Sequence, residues 1–263
     1  MPPDATLVGV RFRVKTPLER HAELGRVVRR SGLSPTAVSV DTQIPSLASG
    51  ECANTYFPVK QGATWSYEVT DGSSDTVNYA DTISKLSVDG FVLTSEFDDV
   101  TRTQRWSCKT DGLLALDFGG GSATLAVADL QAVFDTTEVS GITLPQDIAP
   151  GDTWSQSFTI EGDQTLSGDQ TAEVNGSVDY SSTAVEMERV TVPAGTFDAL
   201  RVDSTTKMDI TIKLSGFAVP TTIEGTIVRW YAPDIGYVRS VEASNVLGEE
   251  VEVTIELTGY EIP

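Results

Sequence analysis

The chain has 263 residues, of which 18 are Lys or Arg and 38 are Asp or Glu, so its formal net charge is -20. This length is enough to bury a sizeable core. The acidity disfavours nucleic acid and anionic membranes as partners, because phosphate groups require clustered cationic side chains. No apolar run approaches the roughly 20 residues that span a bilayer, so we predict no transmembrane segment.

The first fifty residues differ in charge from the rest of the chain. They carry seven basic and four acidic side chains, a net charge of +3, which leaves -23 for the remainder. We therefore expect residues 1–50 to be a basic N-terminal appendage and linker, built differently from residues 51–263.

Apolar and cationic residues alternate over residues 8–15, which predicts a strand with one face on a core. A helix is predicted from Thr16, at the N-cap position before a proline, to about Arg30. Three cations of the predicted strand could dock onto the acidic remainder of the same or another copy, and they form a candidate assembly arm: Arg11, Arg13 and Lys15. The start of the chain shows neither an apolar signal region nor a small-residue cleavage site, so no secretory signal is visible in the sequence.

From residue 51 onward the sequence predicts strands and turns. The chain contains 32 Thr and 29 Val, and β-branched side chains favour strands. Asp89–Gly90 and Asn175–Gly176 predict tight hairpin turns, because such pairs tolerate positive φ angles. Regular alternation of apolar and polar residues over 208–214 and 251–257 predicts antiparallel strands with one wet face.

Two motifs occur twice. The sequence GATWS at 62–66 returns as GDTWS at 151–155, and Arg105–Trp106 returns as Arg229–Trp230, each pair being followed by an Asp and a Gly. We infer two related β-modules, residues 51–147 and 148–263, packed into one continuous β-body.

All four tryptophans of the chain lie in these repeated motifs. The favoured interpretation is that they anchor two equivalent core positions, where each indole buries roughly 150–250 Å². The alternative is that they form stacking surfaces for a ligand, which makes them the candidate ligand-binding residues: Trp65, Trp106, Trp154 and Trp230.

Three ordered motifs carry a family resemblance. They are YFPVKQGATWSY at 56–67, VPAGTFDALRV at 192–202 and WYAPDIGYV at 230–238. Through them, residues 52–263 resemble a family of uncharacterised bacterial exported proteins and lipoproteins. The resemblance implies a secreted or cell-surface, all-β protein with strongly curved antiparallel sheets, either barrel-like or a sandwich.

The second and third motifs also predict local structure by themselves. Pro193 cannot donate to a strand ladder and should end a strand, and Gly195 permits the reversal after it. A second turn is predicted at residues 233–236, where Asp234 replaces the glycine that the family prefers.

Cys52 and Cys108 are the two cysteines of the chain. A disulfide between them would close a loop of roughly 57 residues and contribute about 4 kcal/mol in the chain-entropy description. The alternatives are a lipid-modified Cys52, for which the preceding Glu51 is unfavourable, and two free thiols. The sequence has no metal-binding Cys or His cluster.

Catalytic motifs are scarce. The single histidine, His21, lies in the predicted N-terminal helix, which nearly excludes histidine-dependent triads. Acid pairs could serve a glycosidase-type reaction, with Glu96, Asp98 and Asp99, or Glu186 and Glu188, as candidates. A solvated acidic face explains these acid pairs better.

No cofactor is expected, with structural calcium in predicted turns at 71–75 and 161–163 as a minor alternative.

We predict a non-catalytic exported or cell-surface β-protein that acts in binding or assembly, with itself or another surface component as partner. One alternative is a carrier or sensor of an apolar ligand held in a curved cavity. Another is a carboxylate-based hydrolase, which requires two buried acids in one cleft with different pKa values.

Overall fold

The computed structural model describes residues 52–71, 76–98, 100–119, 132–165, 171–214, 216–246 and 249–263. All of them belong to one compact unit, Pro45–Pro263. The predictions for the N-terminal appendage, including Arg11, Arg13, Lys15 and His21, lie outside the described residues.

The described residues form thirteen strands and no α-helix. In chain order the strands are β1 Thr64–Thr70, β2 Thr76–Leu86, β3 Gly90–Phe97, β4 Thr101–Lys109, β5 Gly112–Ala115, β6 Ala132–Gly141, β7 Leu144–Pro145, β8 Thr153–Thr165, β9 Thr171–Val192, β10 Gly195–Leu214, β11 Phe217–Ala232, β12 Gly236–Val246 and β13 Glu249–Glu261. The predicted all-β class with curved antiparallel sheet is therefore confirmed.

All thirteen strands belong to one sheet, in the order β6-β8-β9-β10-β11-β12-β13-β1-β2-β3-β4-β5-β7. The last strand, β13, pairs antiparallel with the first, β1. This pairing joins a meander of β1 to β5 to a second meander of β8 to β13. Consecutive strands thus lie side by side almost everywhere, as short antiparallel connections require.

The two ends of the sheet approach each other at the short segment between β6 and β7. The N–H of Ile142 donates to Ser155 of β8 at 2.9 Å, and the N–H of Thr143 donates to Leu113 of β5 at 3.0 Å. No continuous ladder among the described strands closes the sheet, but these two bonds hold its ends next to one another. Its inner face therefore encloses a core.

Alternation along the strands fills that inner face. Trp65, Tyr67 and Val69 point inward from β1, and Ile255 and Leu257 lie beside them on the same face of the neighbouring strand β13. Every second side chain of a strand lies on the same face, so a run of alternate apolar residues supplies one wall of the core.

The two GxTWS motifs begin their strands with the same turn. Gly62 has a φ of 80°, and its N–H donates to Ile83 of β2 at 3.0 Å. Gly151 has a φ of 96°, and its N–H donates to Ala184 of β9 at 2.8 Å. A positive φ at both positions explains the glycine of the motif.

The predicted turn at Asn175–Gly176 is wrong, because both residues lie inside the 22-residue strand β9. Gly176 pairs with Ile210 of β10, and a Cβ atom on it would lie 2.1 Å from the carbonyl oxygen of Asp209. This glycine therefore permits a close approach of two backbones and does not mark a reversal.

The predicted reversals at Asp89–Gly90, at Pro193–Gly195 and at residues 233–236 are confirmed. Strand β9 ends at Val192 and β10 begins at Gly195, as Pro193 requires. Strand β11 ends at Ala232 and β12 begins at Gly236, and Asp234 between them has a φ of 61°. The β9–β10 turn rests on the sheet, because the N–H of Ala194 donates to Leu257 of β13 at 2.9 Å.

Candidate functional site

Two of the four tryptophans stand in one aromatic cluster on the inner face. Trp65 is 2% exposed, and its Nε1 donates to the carbonyl oxygen of Ile235 at 2.5 Å. Phe57 lies 5.4 Å from the ring of Trp65 and 5.7 Å from the ring of Trp106. Phe91 stacks on Trp106 at 5.4 Å. Ring spacings in this range are those of direct packing, so the rings fill the space that a ligand would need.

Trp154 is the counterpart of Trp65 in the second GxTWS motif. It is half-buried and packs against Leu200 and Val202. Its Nε1 donates to the carbonyl oxygen of Thr143 at 3.1 Å. Both tryptophans of this motif therefore anchor a distant segment through one indole hydrogen bond to a main-chain carbonyl.

Trp230 has different surroundings from Trp106. Its Nε1 donates to Glu188 at 2.8 Å, and the guanidinium of Arg239 lies 5.3 Å from its ring centroid. The preceding Arg229 donates to the buried Glu242 at 2.9 Å. In the first copy the arginine is the outward residue instead, since the side chain of Arg105 is 66% exposed.

The expectation of two equivalent core positions therefore fails for the Arg–Trp motif. The pairing register shifts near both members of the second copy, between Leu200 and Val202 and between Trp230 and Tyr231. Since a one-residue shift moves a side chain to the opposite face of a sheet, it is sufficient to reverse the motif.

Two buried acids lie on the inner face, and neither was a candidate from the sequence. Asp81 is 4% exposed and accepts a hydrogen bond from Ser95 Oγ at 2.5 Å. Burial raises the pKa of Asp81 to about 7, against the opposing effects of the Ser95 hydrogen bond and the charge of Arg229. Glu242 accepts hydrogen bonds from Arg229 at 2.9 Å and from Ser240 at 3.3 Å.

A signal for both acids was present in the sequence. Asp81 stands midway between Tyr79 and Ile83, in the phase that β2 directs inward, and Glu242 occupies the inward phase of β12. A charged residue in the apolar phase of a strand is unusual enough to mark a buried polar group.

Tyrosines surround these acids. The rings of Tyr67 and Tyr237 are parallel and 4.6 Å apart, and Tyr79 stacks on Tyr67 at 5.1 Å. The hydroxyls of Tyr79 and Tyr237 share a hydrogen bond, and Tyr67 donates to the carbonyl oxygen of Tyr237 at 3.1 Å. Burial raises the pKa of Tyr180, which neighbours Arg229 and Glu242, to about 12. The tyrosine hydroxyls and the two acids are thus held by their neighbours in a packed interior.

Two surface recesses among the described residues lie elsewhere. One has a volume of about 250 Å³ and is lined by Thr55, Tyr56, Gln146, Asp147, Ile148, Ala149 and Asp152. The other, of about 400 Å³, is lined by Glu138, Val139, Ser140, Ser157, Phe158, Thr159 and Ser177. Both are open at the surface and mixed in polarity. Neither buried acid and none of the four tryptophans lines them.

The acid pairs selected from the sequence lie at the surface. Glu96, Asp98 and Glu186 are exposed, and Asp99 lies outside the described residues. The carboxylate of Glu188 accepts a hydrogen bond from Trp230 and forms an ion pair with Arg201, whose Nη1 lies 3.4 Å away.

The predicted calcium turns gain no support. Glu161 and Asp163 lie within strand β8, so the predicted turn at 161–163 is wrong. Residues 72–75 of the other turn lie outside the described residues. Within the described ranges no group of three or more His, Cys, Asp or Glu side chains could hold a metal ion.

The predicted disulfide between Cys52 and Cys108 is confirmed, with a Cα–Cα distance of 4.9 Å. Both cysteines are buried, and Cys108 lies in the inward phase of β4 opposite Leu113. The bond ties the segment before β1 to the aromatic cluster. It also overturns the alternatives of a lipid-modified Cys52 and of free thiols, because both sulfur atoms are used.

The part of the chain that the structure describes contains no helix that could span a bilayer. Comparison with known proteins gives a family match: a model described as DUF3108-like covers residues 60–254. Comparison with curated proteins gives no match.

Two solved structures are similar in fold. One is a candidate exported protein with a YmcC-like fold from Bacteroides fragilis, with 16% identity, a TM-score of 0.46, and coverage of 80% of this chain and 100% of that chain. The other is a candidate lipoprotein from Parabacteroides distasonis, with 17% identity, a TM-score of 0.47, and coverage of 80% and 99%. At these scores the two structures carry no argument about function.

Proposed function

The chain belongs to the DUF3108-like family, and from that premise we propose that it is a non-catalytic exported or cell-surface β-protein that acts in binding or assembly. One observation carries the proposal. The inner face of the curved sheet is where a ligand or substrate would be enclosed. Two groups of packed aromatic rings occupy it, one around Phe57 and Trp65 and one around Tyr67 and Tyr237. A filled interior leaves the outer surface and the strand edges as the parts available for partners.

The two alternative functions find less support. An apolar carrier needs an enclosed apolar cavity of roughly 300–1,000 Å³, whereas the two recesses are open and mixed in polarity. A carboxylate hydrolase needs two acids in one accessible cleft. Asp81 and Glu242 are buried, each with a hydrogen-bond partner, and they line neither recess.

The assembly is proposed to use the basic arm. Arg11, Arg13 and Lys15 lie in a segment of net charge +3, and residues 51–263 carry -23. Opposite charges of this size favour docking of the arm onto the body of the same or another copy, most strongly at low ionic strength. Docking onto another copy would produce a self-associating protein.

Charge reversal in the full-length chain tests this proposal. The variant R11E/R13E/K15E is compared with R26E/R29E/R30E, which changes the net charge equally but leaves the arm intact. Light scattering coupled to size exclusion at low salt measures the mass. We expect an assembled wild type, an assembled control variant, and an arm variant with the mass of one chain. A monomeric wild type, or an arm variant that stays assembled, would refute the arm proposal.

We also propose that the two modules, residues 51–147 and 148–263, are copies of one ancestral unit. The shared turn and indole hydrogen bond of the two GxTWS motifs support this. The reversed Arg–Trp motif then records a later change of register in the second copy.

A further inference from the structure

The β10–β11 hairpin ends in an exposed, uncharged tip, which we define as Leu214 and residues 217–220. Phe217 is 77% and Val219 is 56% exposed, and Ala218 and Pro220 are exposed as well. The tip carries no charge in a chain in which 21% of residues are charged. Two ion pairs accompany it: Lys213 with Glu173, opposite Ala218, and Lys207 with Asp209, farther from the tip.

The tip extends beyond the neighbouring strand. Pairing of β11 with β12 begins at Glu224, opposite Asn245. Among the described residues, 217–223 pair only with β10, from Phe217 opposite Leu214 to Ile223 opposite Met208. Within the part of the chain that the structure describes, the other edge of this segment has no strand beside it.

Pro220 makes the free edge a poor template for strand addition. A two-residue connection separates the closing pair Leu214 and Phe217, which in such hairpins is hydrogen-bonded, and bonded and non-bonded pairs then alternate. Pro220, opposite Thr211, falls in a non-bonded pair, where an N–H would point to the free edge. Proline has none, so the edge lacks its central donor.

The exposed apolar area is also small for a protein partner. With 150–250 Å² for a whole aromatic side chain, Phe217 and the smaller Val219 offer on the order of 200 Å², whereas a stable protein interface needs roughly 800 Å² from each partner. A lipid surface needs neither a paired backbone nor a large complementary area, and it accepts Phe and aliphatic side chains at the boundary of headgroups and acyl chains.

We propose that the hairpin tip inserts into the interface of a zwitterionic lipid surface, with Phe217 and Val219 as the inserted side chains. The net charge of -20 opposes anionic lipid, so a neutral headgroup layer is the surface that fits. The Lys213–Glu173 pair lies opposite Ala218, so insertion is limited to the side chains of Phe217 and Val219 and stays shallow. This role goes beyond the proposed function and does not depend on the basic arm.

Flotation of the full-length protein with phosphatidylcholine vesicles tests the proposal. The variant F217S/V219S removes the inserted side chains. The matched control V88S/V100S removes two exposed valines elsewhere, Val88 and Val100, which are 94% and 46% exposed. We expect wild type and control to float, and the tip variant to show a vesicle affinity lower by about 10-fold or more. Vesicles with added phosphatidylglycerol should bind less protein.

Four results would overturn the proposal: a wild type that does not float, a tip variant that floats as well as wild type, a control that loses binding to the same extent, or stronger binding to anionic vesicles. Light scattering on the same samples adds a fifth. If the tip variant alone has a lower assembly mass, the tip contacts a second copy and not lipid. The arm variant R11E/R13E/K15E should float normally, so failure of the tip proposal and failure of the arm proposal are distinguishable.

Discussion

The aromatic cluster around Trp65 and the tip of the β10–β11 hairpin both place large apolar side chains on one face of a strand, Trp65 and Tyr67 on β1 and Phe217 and Val219 on β11. In the cluster, Trp65 is 2% exposed, whereas Phe217 at the tip is 77% exposed. The exposure of the two side chains differs because different strands surround them. Side chains of β1 to β4 pack in one cluster with side chains of β9, β10, β12 and β13, whereas the tip extends past β12 and, among the described strands, has only β10 beside it.

Alternating apolar residues thus determine which face of a strand is apolar, but they do not determine whether that face is buried. A face becomes core only where the sheet curves back over it. The same chain forms a rigid interior at one place and an exposed apolar surface at another, and each region makes its own predictions.

The largest expected effect is loss of the buried indole. Replacing Trp65 by Ala removes a fully buried ring and its hydrogen bond to Ile235, so the free energy of unfolding should fall by about 3–5 kcal/mol. Phe217→Ala at the tip should change it by less than about 0.5 kcal/mol. Guanidinium unfolding of both variants measures the contrast. Equal losses would show that the tip is packed as tightly as the cluster.

Loss of the disulfide should lower the free energy of unfolding by a similar amount. Cys52 and Cys108 are 56 residues apart, so the variant C52S/C108S should lose about 4 kcal/mol, because the unfolded chain gains the freedom that the closed loop denied it. Reduction of the wild type by dithiothreitol should give the same loss in guanidinium unfolding. A loss below about 1 kcal/mol in both measurements would contradict the assigned role of the bond.

The buried carboxyl group predicts a pH dependence. The folded-state pKa of Asp81, about 7, lies above its unfolded value. The folded protein therefore binds the proton more tightly, and the stabilisation is full below about pH 4 and is lost as pH rises through 7.

Because the folded-state pKa of Asp81 lies about three units above the unfolded value, the free energy of unfolding should fall by up to about 4 kcal/mol between pH 4 and 8. Asp81→Asn keeps an acceptor for Ser95 and should remove this loss, whereas the surface variant Asp98→Asn should not. The test is urea unfolding of all three proteins at both pH values. A wild type and D81N variant with parallel pH profiles would place the titration elsewhere.

The smallest expected change in stability comes from Pro220. Pro220→Val should alter the free energy of unfolding by no more than about 0.5 kcal/mol, yet it restores an edge N–H. Higher-mass species should then appear in concentrated samples, as measured by light scattering. Ala218→Val adds an apolar β-branched residue without a new donor and should remain like wild type. Association of both variants equally would assign the effect to hydrophobicity alone.

Local rules predicted much of this fold from the sequence. The alternation over 208–214 and 251–257, the reversals at Pro193–Gly195 and residues 233–236, and the disulfide depend on nearby residues or on a count of two cysteines, and the structure has all of them. The predictions that failed depended on pairing with distant strands. Gly176 lies in a strand because Asp209 of β10 passes beside it.

The candidate site shows the same limit. The sequence identified all four tryptophans, but the face that each one occupies depends on the register of long strands, so Trp230 and Trp106 differ. Asp81 and Glu242 were not selected from the 38 acidic residues, although the alternation of their strands predicts that both side chains point inward. Their partners Ser95 and Arg229 come from neighbouring strands, and only the sheet order brings them together.

The central claim is that the aromatic cluster is a rigid structural interior and that the hairpin tip is the open part of the molecule. Native-state hydrogen exchange, followed by mass spectrometry, measures this directly. We expect amides of Thr64–Thr70 and Thr76–Leu86 to exchange only by global unfolding, and those of residues 217–223 to exchange orders of magnitude faster. Equal protection of the two regions would contradict the account.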